Sequence, residues 1–435
     1  MKTVTTGERL LVSVANNQVG QIIRAGTRAC TFVYDRSLRV DQAVSLIMPV
    51  EVPVYQTSYY SSLHPVFEMN LPEGRLRDEI QKKFSKALPD FDDLTLLGMV
   101  GCTTIGRLRY GWKEDMFSVT SPPPCDILEM MSYEGTEDLL AYLMNRYANF
   151  SGVAGVQPKV LVQDKKNLCL SDAAKERLTA RDATHIIKAW ESDYPGLAAN
   201  EFFCMQAAAR SGLTTPATLL STNGKLLAIE RFDMNLNTGE YWGFEDFCAL
   251  SNLPSRKKYS GSYERLAKGL SVFLDGEFLT TARRDFFKIM VLNCMVRNGD
   301  AHLKNFGIVY SDPKIENRFL APAFDIVTST AYISSDTMAL TLGGCKKWPD
   351  RKRLNDFGLS YCHLSRKDIN HIFEHVAEAI TDTRHALQMY AKDHSDFFKI
   401  GEIILKEWNH GVSSIMQDTP SASISPKKKT SCLNP

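Results

Sequence analysis

Four polar side chains fall within six residues at 300–305: the carboxylate of Asp300, the imidazole of His302, the ammonium of Lys304 and the carboxamide of Asn305. An apolar stretch, 286–296, runs into them and a β-like stretch, 306–310, follows. Twenty residues past Asn305, the run Leu320-Ala321-Pro322-Ala323-Phe324-Asp325 delivers a second carboxylate. A carboxylate beside an acceptor hydroxyl positions it and takes its proton. A carboxamide and a second carboxylate are hard oxygen donors for a magnesium ion held against phosphates. The two segments together are read as a phosphoryl-transfer centre. Singly, Asn298-Gly299-Asp300 is a turn signal and a lone His is an ordinary structural residue. The joint spacing, with apolar chain on both sides, is what makes the pattern specific.

The interval from Asp300 to Asn305 is that of the protein-kinase catalytic loop, from the Asp at the substrate hydroxyl to the Asn on magnesium. Such a loop needs a lysine and a nucleotide pocket delivered by other elements. Thr184-His185-Ile186-Ile187-Lys188-Ala189-Trp190 is strand-like and carries Lys188 out of an apolar run, where an unpaired ammonium is costly. The segment 198–210 reads as a helix stopped by Ser211-Gly212, with Glu201 near its start. A strand Lys followed by a helix Glu is the order of the kinase phosphate-orienting pair. Upstream, Phe150-Ser151-Gly152-Val153-Ala154-Gly155-Val156-Gln157-Pro158-Lys159 precedes the strand-like Val160-Leu161-Val162. Glycines let backbone N–H groups approach an anion, and Lys159 adds charge. This is no Walker A, because the GK[ST] ending and its helix are missing. Residues 217–220 and 226–233 read as a hairpin about Asn223-Gly224, whose second strand exits at Glu230-Arg231-Phe232, the place of a lobe hinge.

The 435 residues exceed one ordinary core and predict two or three domains. Hydrophobic content of 44% and charged content of 23% are those of a soluble globular protein. A net charge of +1 excludes a global polyanion-binding signature and leaves room for local basic patches. The N-terminus lacks the apolar core of a signal peptide, and no run is long enough to span a bilayer. The ten cysteines are scattered without a CxxC pair, so zinc and disulfide readings are weak and a reducing cytoplasm is the expected setting.

The first segment, about 1–112, reads as β-rich, with strands at 10–14 and 29–34, a turn at Asn16-Asn17, and helices at 75–86 and 90–100. No residue in it asks for chemistry. A linker is expected at 113–130, marked by Ser121-Pro122-Pro123-Pro124. Residues 137–147 read as a helix in a lobe spanning 131–233. A lobe at 234–410 follows, with a short helix at 244–250 and a basic loop, Ser255-Arg256-Lys257-Lys258-Tyr259, that reads as a solvated charge run. Helices are expected at 282–296, 368–392 and 395–408, and a Ser/Pro-rich disordered tail at 411–435.

Taken in order, Leu71-Pro72-Glu73-Gly74, Gly155-Val156-Gln157-Pro158-Lys159, His185-Ile186-Ile187-Lys188, Asn200-Glu201, Glu230-Arg231-Phe232-Asp233, the 298–307 loop and Leu320 to Asp325 resemble the HipA family of serine/threonine kinase toxins over about residues 10–400. The resemblance implies an α+β, two-lobed, protein-kinase-like fold whose N-lobe carries an extra β-rich subdomain and whose C-lobe is all helical. It implies Asp300 as the catalytic residue, Asn305 and Asp325 as magnesium ligands, and Lys188 on ATP phosphates. Lys159, His302 and Lys304 would line the ATP pocket, and Glu230 and Phe232 would bind adenine through backbone atoms. It implies a protein substrate such as an aminoacyl-tRNA synthetase and growth arrest or persistence. It further implies a HipB-like helix-turn-helix antitoxin, with operator DNA bound mainly through that antitoxin, and no membrane. The family switches itself off by phosphorylating a Ser of the Gly-rich loop. Gly152 stands at the equivalent position here, and Ser151 beside it is the candidate. Two rival readings remain: a small-molecule kinase of aminoglycoside-phosphotransferase type, which shares Asp-x-His-x-x-Asn, and a pseudokinase co-repressor, against which Asp300, Asn305 and Asp325 argue.

Overall fold

The computed structural model describes residues 9–15, 17–25, 29–57, 62–84, 91–112, 126–132, 146, 159–162, 184–189, 193–235, 238 and 240–417. The chain opens with β1 (Arg9–Val14), β2 (Asn17–Ala25), β3 (Ala29–Tyr34) and β4 (Val54–Gln56), then the short helices α1 (Pro65–Glu68), α2 (Gly74–Phe84) and α3 (Asp93–Val100), and β5 (Leu108–Gly111). The strands form one antiparallel sheet in the order β4-β3-β2-β1-β5. Alternation along β3 puts Cys30, Phe32 and Tyr34 inside, as period-two patterning requires. Of the expected turn at Asn16-Asn17, Asn17 begins β2 and Asn16 lies outside the described residues.

A helix, α4 (Ile127–Met131), stands inside the stretch expected to be linker. Asp126 caps it, accepting the Glu129 N–H at 3.2 Å, and its buried Ile127 and Met131 join the N-terminal core. Residues 113–125, most of the expected helix 137–147, and the Gly-rich loop with Ser151 and Gly152 lie outside the described residues.

The second sheet runs β6-β7-β9-β8, from β6 (Lys159–Val162), β7 (His185–Ala189), β8 (Thr218–Leu220) and β9 (Leu226–Glu230), all antiparallel. The apolar faces of β6, β7 and β9 share one core with the five-stranded sheet, through Val160, Leu161, Ile187, Leu226 and Ala228. The N-terminal unit is therefore fused to the lobe it precedes. The intervening helix α5 (Leu197–Arg210) presents Phe203, Cys204, Met205, Ala207 and Ala208 to the core of the C-terminal helices instead.

The C-terminal lobe follows as β10 (Gly243–Asp246), α6 (Phe247–Leu250), α7 (Tyr263–Phe273), α8 (Gly276–Met295), β11 (Gly307–Tyr310), β12 (Arg318–Leu320), α9 (Arg351–Ser360), α10 (Arg366–Asp393) and α11 (Ser395–Met416). It is helical in bulk but not throughout: β10, β11 and β12 form an antiparallel sheet. The stretch expected to be a helix at 244–250 divides at Asp246. Before it, the backbone pairs with β11; after it, the Asp246 side chain caps a helical turn, accepting the Ala249 N–H at 2.8 Å. The last helix runs past 410 to Met416, because Trp408, Gly411 and Ile415 stay buried along it. Gly411 sits so close to α8 that an added Cβ would lie 2.0 Å from the Met295 carbonyl oxygen. This contact fixes the end of α8, from which the 297–305 loop departs.

Among the described residues no helix is long and apolar enough to cross a membrane. The described cysteines are all free.

Candidate active site

The loop after α8 turns at Arg297, whose φ of +59° is uncommon for a residue with a Cβ. Side chains hold the next residues. The Asn298 Oδ1 accepts the Asp300 N–H at 3.1 Å, and the Asn298 Nδ2 donates to Asn293 Oδ1 at 2.8 Å. The Gly299 N–H donates to Ser329 Oγ at 2.7 Å. Gly299 is needed here, since a Cβ would meet the Asp336 carboxylate at 2.2 Å. Asn305 closes the loop by accepting the His302 N–H on Oδ1 at 3.0 Å.

Asn305 Nδ2 donates to Asp325 Oδ2 at 2.9 Å. The other Asp325 oxygen takes Lys188 Nζ at 2.6 Å, and the same ammonium reaches Glu201 Oε1 at 2.6 Å. Strand β7 therefore delivers a lysine to a carboxylate on α5 and to another 137 residues downstream. Glu201 is fully buried, and its Oε2 has no hydrogen-bond partner among the described residues. Asp325 adopts φ +59°, a strained conformation that Asp tolerates better than most residues.

The electrostatics follow from this packing. Burial works to lower Lys188, but the carboxylates of Asp325 and Glu201 outweigh it and hold the ammonium protonated. Burial works to raise Asp325, but Lys188 and Lys159 outweigh it and keep its carboxylate well below the usual range. Lys159 lies across the β6–β7 ladder directly opposite Lys188. Burial, with Lys188 beside it, pulls Lys159 down to about 8. Burial raises Asp300, against the hydrogen bond it accepts from Tyr259 Oη at 2.7 Å. Burial, with Lys258 nearby, pushes His302 down to about 3, so the ring is neutral at physiological pH.

One cleft of about 640 Å³ gathers the sequence-derived site residues. Lys159, Lys188, Glu230, Phe232, Asp300, His302, Lys304, Asn305 and Asp325 all line it. Ile186, Ile229 and Phe324 give it an apolar wall, and the Phe232 and Phe324 ring centroids are 5.3 Å apart. The Glu230 N–H is committed to the Ala217 carbonyl at 2.9 Å and the Arg231 N–H to Thr184 at 3.0 Å. Ser151 lies outside the described residues.

Glu73 enters the cleft although nothing in its own segment asked for chemistry. It takes Lys304 Nζ at 2.5 Å and stands 3.6 Å from Lys258 Nζ. Against the cost of burial, Lys304 and Lys258 keep Glu73 ionised, and Glu73 with Asp246 keeps the buried Lys304 protonated. The N-terminal unit thus supplies a carboxylate to the loop that carries Asp300. It is braced there by Glu245, which accepts from Ser45 Oγ at 2.5 Å, from the Leu46 N–H at 2.8 Å and from Tyr310 Oη at 2.6 Å. Asp233 adds a second brace at the end of the hinge, taking the Gly106 N–H at 2.5 Å while paired with Arg231.

The donor set suits a hard divalent cation. Asp325 is ionised, and Asn305, which bonds it through Nδ2 and accepts the His302 N–H on Oδ1, carries in that carboxamide oxygen a second hard donor. Two protein ligands fit a magnesium ion that keeps waters and phosphate oxygens in its shell.

Comparison with known proteins gives the same architecture. The HipA N-terminal domain matches residues 10–111, and the HipA-like C-terminal domain matches residues 151–384, more than half of the chain. The proteins "Putative kinase Y4dM" and "Putative kinase Y4mE" of Sinorhizobium fredii are similar to it. The first is 27% identical over 77% of this chain and 79% of its own length. The second is 28% identical over 66% of this chain and 71% of its own. HipA of Shewanella oneidensis MR-1, solved with HipB and operator DNA, superposes with a TM-score of 0.64 at 17% identity, covering 92% of this chain and 97% of that one. The overlay extends a mixed α+β, kinase-like fold over both lobes and the N-terminal sheet.

Proposed function

This chain belongs to the HipA family, and on that premise we propose that it is the Mg-ATP-dependent serine/threonine protein kinase toxin of a toxin–antitoxin pair. The observation that carries the reading is the convergence of Asp300, Asn305, Asp325 and the Lys188–Glu201 pair on one interlobe cleft.

In this reading Asp300 accepts the hydrogen bond of an acceptor hydroxyl and takes its proton as the new P–O bond forms and ADP leaves. Burial, by raising Asp300, makes it a better base than a solvated carboxylate. Lys188, fixed between two carboxylates, orients the phosphates, with Lys159 as a second positive neighbour. Asn305 and Asp325 hold magnesium, which when bound neutralises charge on the transferring phosphoryl group. The apolar wall of Ile186, Ile229 and Phe324 takes the adenine, with backbone groups at Glu230 and Phe232. His302, neutral, and Lys304, clamped by Glu73, shape the floor.

The acceptor is a serine or threonine of a protein such as an aminoacyl-tRNA synthetase, and the setting is the cytoplasm. The partner is a HipB-like helix-turn-helix antitoxin that carries the contact to operator DNA, as HipB accompanies the Shewanella protein. Ser151 is the candidate for phosphorylation in the Gly-rich loop.

The test is phosphoproteomics after expression of the wild type and of Asp300→Gln, with growth followed in parallel. The wild type adds phosphate to a discrete protein target and arrests growth; the variant does neither while still binding Mg-ATP. Undiminished phosphotransfer by Asp300→Gln refutes the assignment.

A further inference from the structure

The basic loop read as a solvated charge run does not face solvent alone. Its last residue, Tyr259, reaches into the cleft, and its hydroxyl donates to Asp300 Oδ1 at 2.7 Å. The ring stands edge-on to His302, with centroids 5.1 Å apart at 76°, and Lys258 Nζ lies 5.4 Å from its centroid. Burial and the adjacent Asp300 push the phenol well above its ordinary range, so Tyr259 is the donor in this bond.

A phenol donating to this carboxylate reproduces what an acceptor alcohol must do there. We propose that Tyr259 occupies the acceptor-hydroxyl position on Asp300, and that an incoming serine or threonine binds by displacing it. The proposal rests on the reading of Asp300 as the catalytic carboxylate.

Three features make Tyr259 displaceable rather than fixed. The backbone on either side is pinned: the Lys258 carbonyl accepts the Leu303 N–H at 3.1 Å, and the Tyr259 carbonyl accepts from Lys346 Nζ at 3.4 Å. The residue is 44% exposed, so rotation about its own χ angles carries the ring to solvent without moving the loop. An acceptor alcohol makes the same charge-assisted bond that the phenol gives up, so the exchange leaves Asp300 paired throughout. Tyr259 is thereby a positioning residue that sets how tightly an acceptor binds and leaves nucleotide binding alone.

Tyr259→Phe keeps the ring against His302 and deletes only the hydroxyl. Transfer from Mg-ATP to a serine peptide, chosen from a mixed serine/threonine library on the wild type, is measured for both proteins. The acceptor KM falls about tenfold in the Phe variant, the worth of one hydrogen bond to a charged group, and the ATP KM stays within about twofold. An acceptor KM that is unchanged or raised overturns the proposal. Labelling of Asp300 with a water-soluble carbodiimide and an amine, read by mass spectrometry, tests the cap whether or not the cleft transfers phosphate. Labelling several-fold faster in Tyr259→Phe supports it, and equal rates overturn it. If labelling changes as expected but Asp300→Gln transfers phosphate as fast as the wild type, the cap stands as a contact and the acceptor role falls with the kinase reading.

Discussion

Replacing Lys188 with methionine removes the cation bonded to a fully buried carboxylate and leaves Lys159 as the remaining positive charge acting on it. Glu201 is fully buried, holds Lys188 Nζ at 2.6 Å on one oxygen, and finds no partner for the other among the described residues. Asp325, the second carboxylate on Lys188, is about one-third exposed at its side chain and can be rehydrated. The penalty therefore falls on Glu201. Breaking a buried pair by deleting one partner costs about 3–5 kcal/mol. The carboxyl escapes part of that by binding a proton. Burial already raises Glu201 above its ordinary value of 4.5, with Lys188 opposing the rise, so loss of Lys188 raises it further. A carboxyl whose folded pKa lies above its unfolded one lends stability that is full below the unfolded pKa and is lost as pH rises through the folded one. The deficit of Lys188→Met relative to wild type is thus expected to be about 3 kcal/mol at pH 8 and about 1 kcal/mol or less at pH 5. Urea denaturation of both proteins at the two pH values measures it. Lys188→Met combined with Glu201→Gln removes the buried charge and recovers most of the loss, which a double-mutant cycle reads directly. A deficit equal at pH 5 and pH 8, or a double variant no more stable than the single one, refutes the reasoning.

Two further outcomes follow from the same cleft. Glu73→Gln strips the charge that faces Lys304 and Lys258; kcat is expected to fall about tenfold or more with a stability loss of about 1–3 kcal/mol, and Glu73→Asp recovers part of kcat, whereas full activity in the Gln variant refutes a role for this clamp. His302 is held at about 3 against an ordinary 6.5, so the stability it leaves intact above pH 6.5 is lost as pH falls toward 3, because the unfolded state takes up the proton first. His302→Gln flattens that slope by up to about 1.4 kcal/mol per pH unit, read from urea midpoints at pH 7 and 4.5; an unchanged slope refutes it.

What the sequence made legible, and what it did not, divides by the range of the interaction. Asp300, His302, Lys304 and Asn305 are neighbours in the chain, and the intervals between them are themselves the signal. Lys188 and Glu201 sit on consecutive elements 13 residues apart, and strand-to-helix order suggested the pair that the structure joins at 2.6 Å. The strands β6, β7, β8 and β9 were readable from apolar runs and a turn. Of the small sheet in the C-terminal lobe, β11 was readable at 306–310 but its partner β10 was not, because β10 spans only four residues and is strand only by pairing with β11, some sixty residues later. The role of Glu73 was invisible, although Leu71-Pro72-Glu73-Gly74 helped to carry the family resemblance, for a stronger reason. Its partner Lys304 is 231 residues away, and nothing local distinguishes a carboxylate that will clamp a buried lysine from one that will sit in water. Tyr259 failed in the same way: three flanking cations signal solvation, and only the fold brings its hydroxyl 41 residues along the chain to Asp300. The 300–305 residues proposed to bear the reaction are legible because their spacing is local. Those that set the charge and the occupancy around them come from other domains and loops, and tertiary packing alone pairs them. The N-terminal unit is the clearest case: it reads as a separate β-rich domain, yet its core is continuous with β6, β7 and β9 and its Glu73 reaches Lys304 of the 297–305 loop. Removing it would expose one face of the nucleotide-side sheet and leave Lys304 buried without its carboxylate, so the kinase lobes are not expected to stand as an independent unit.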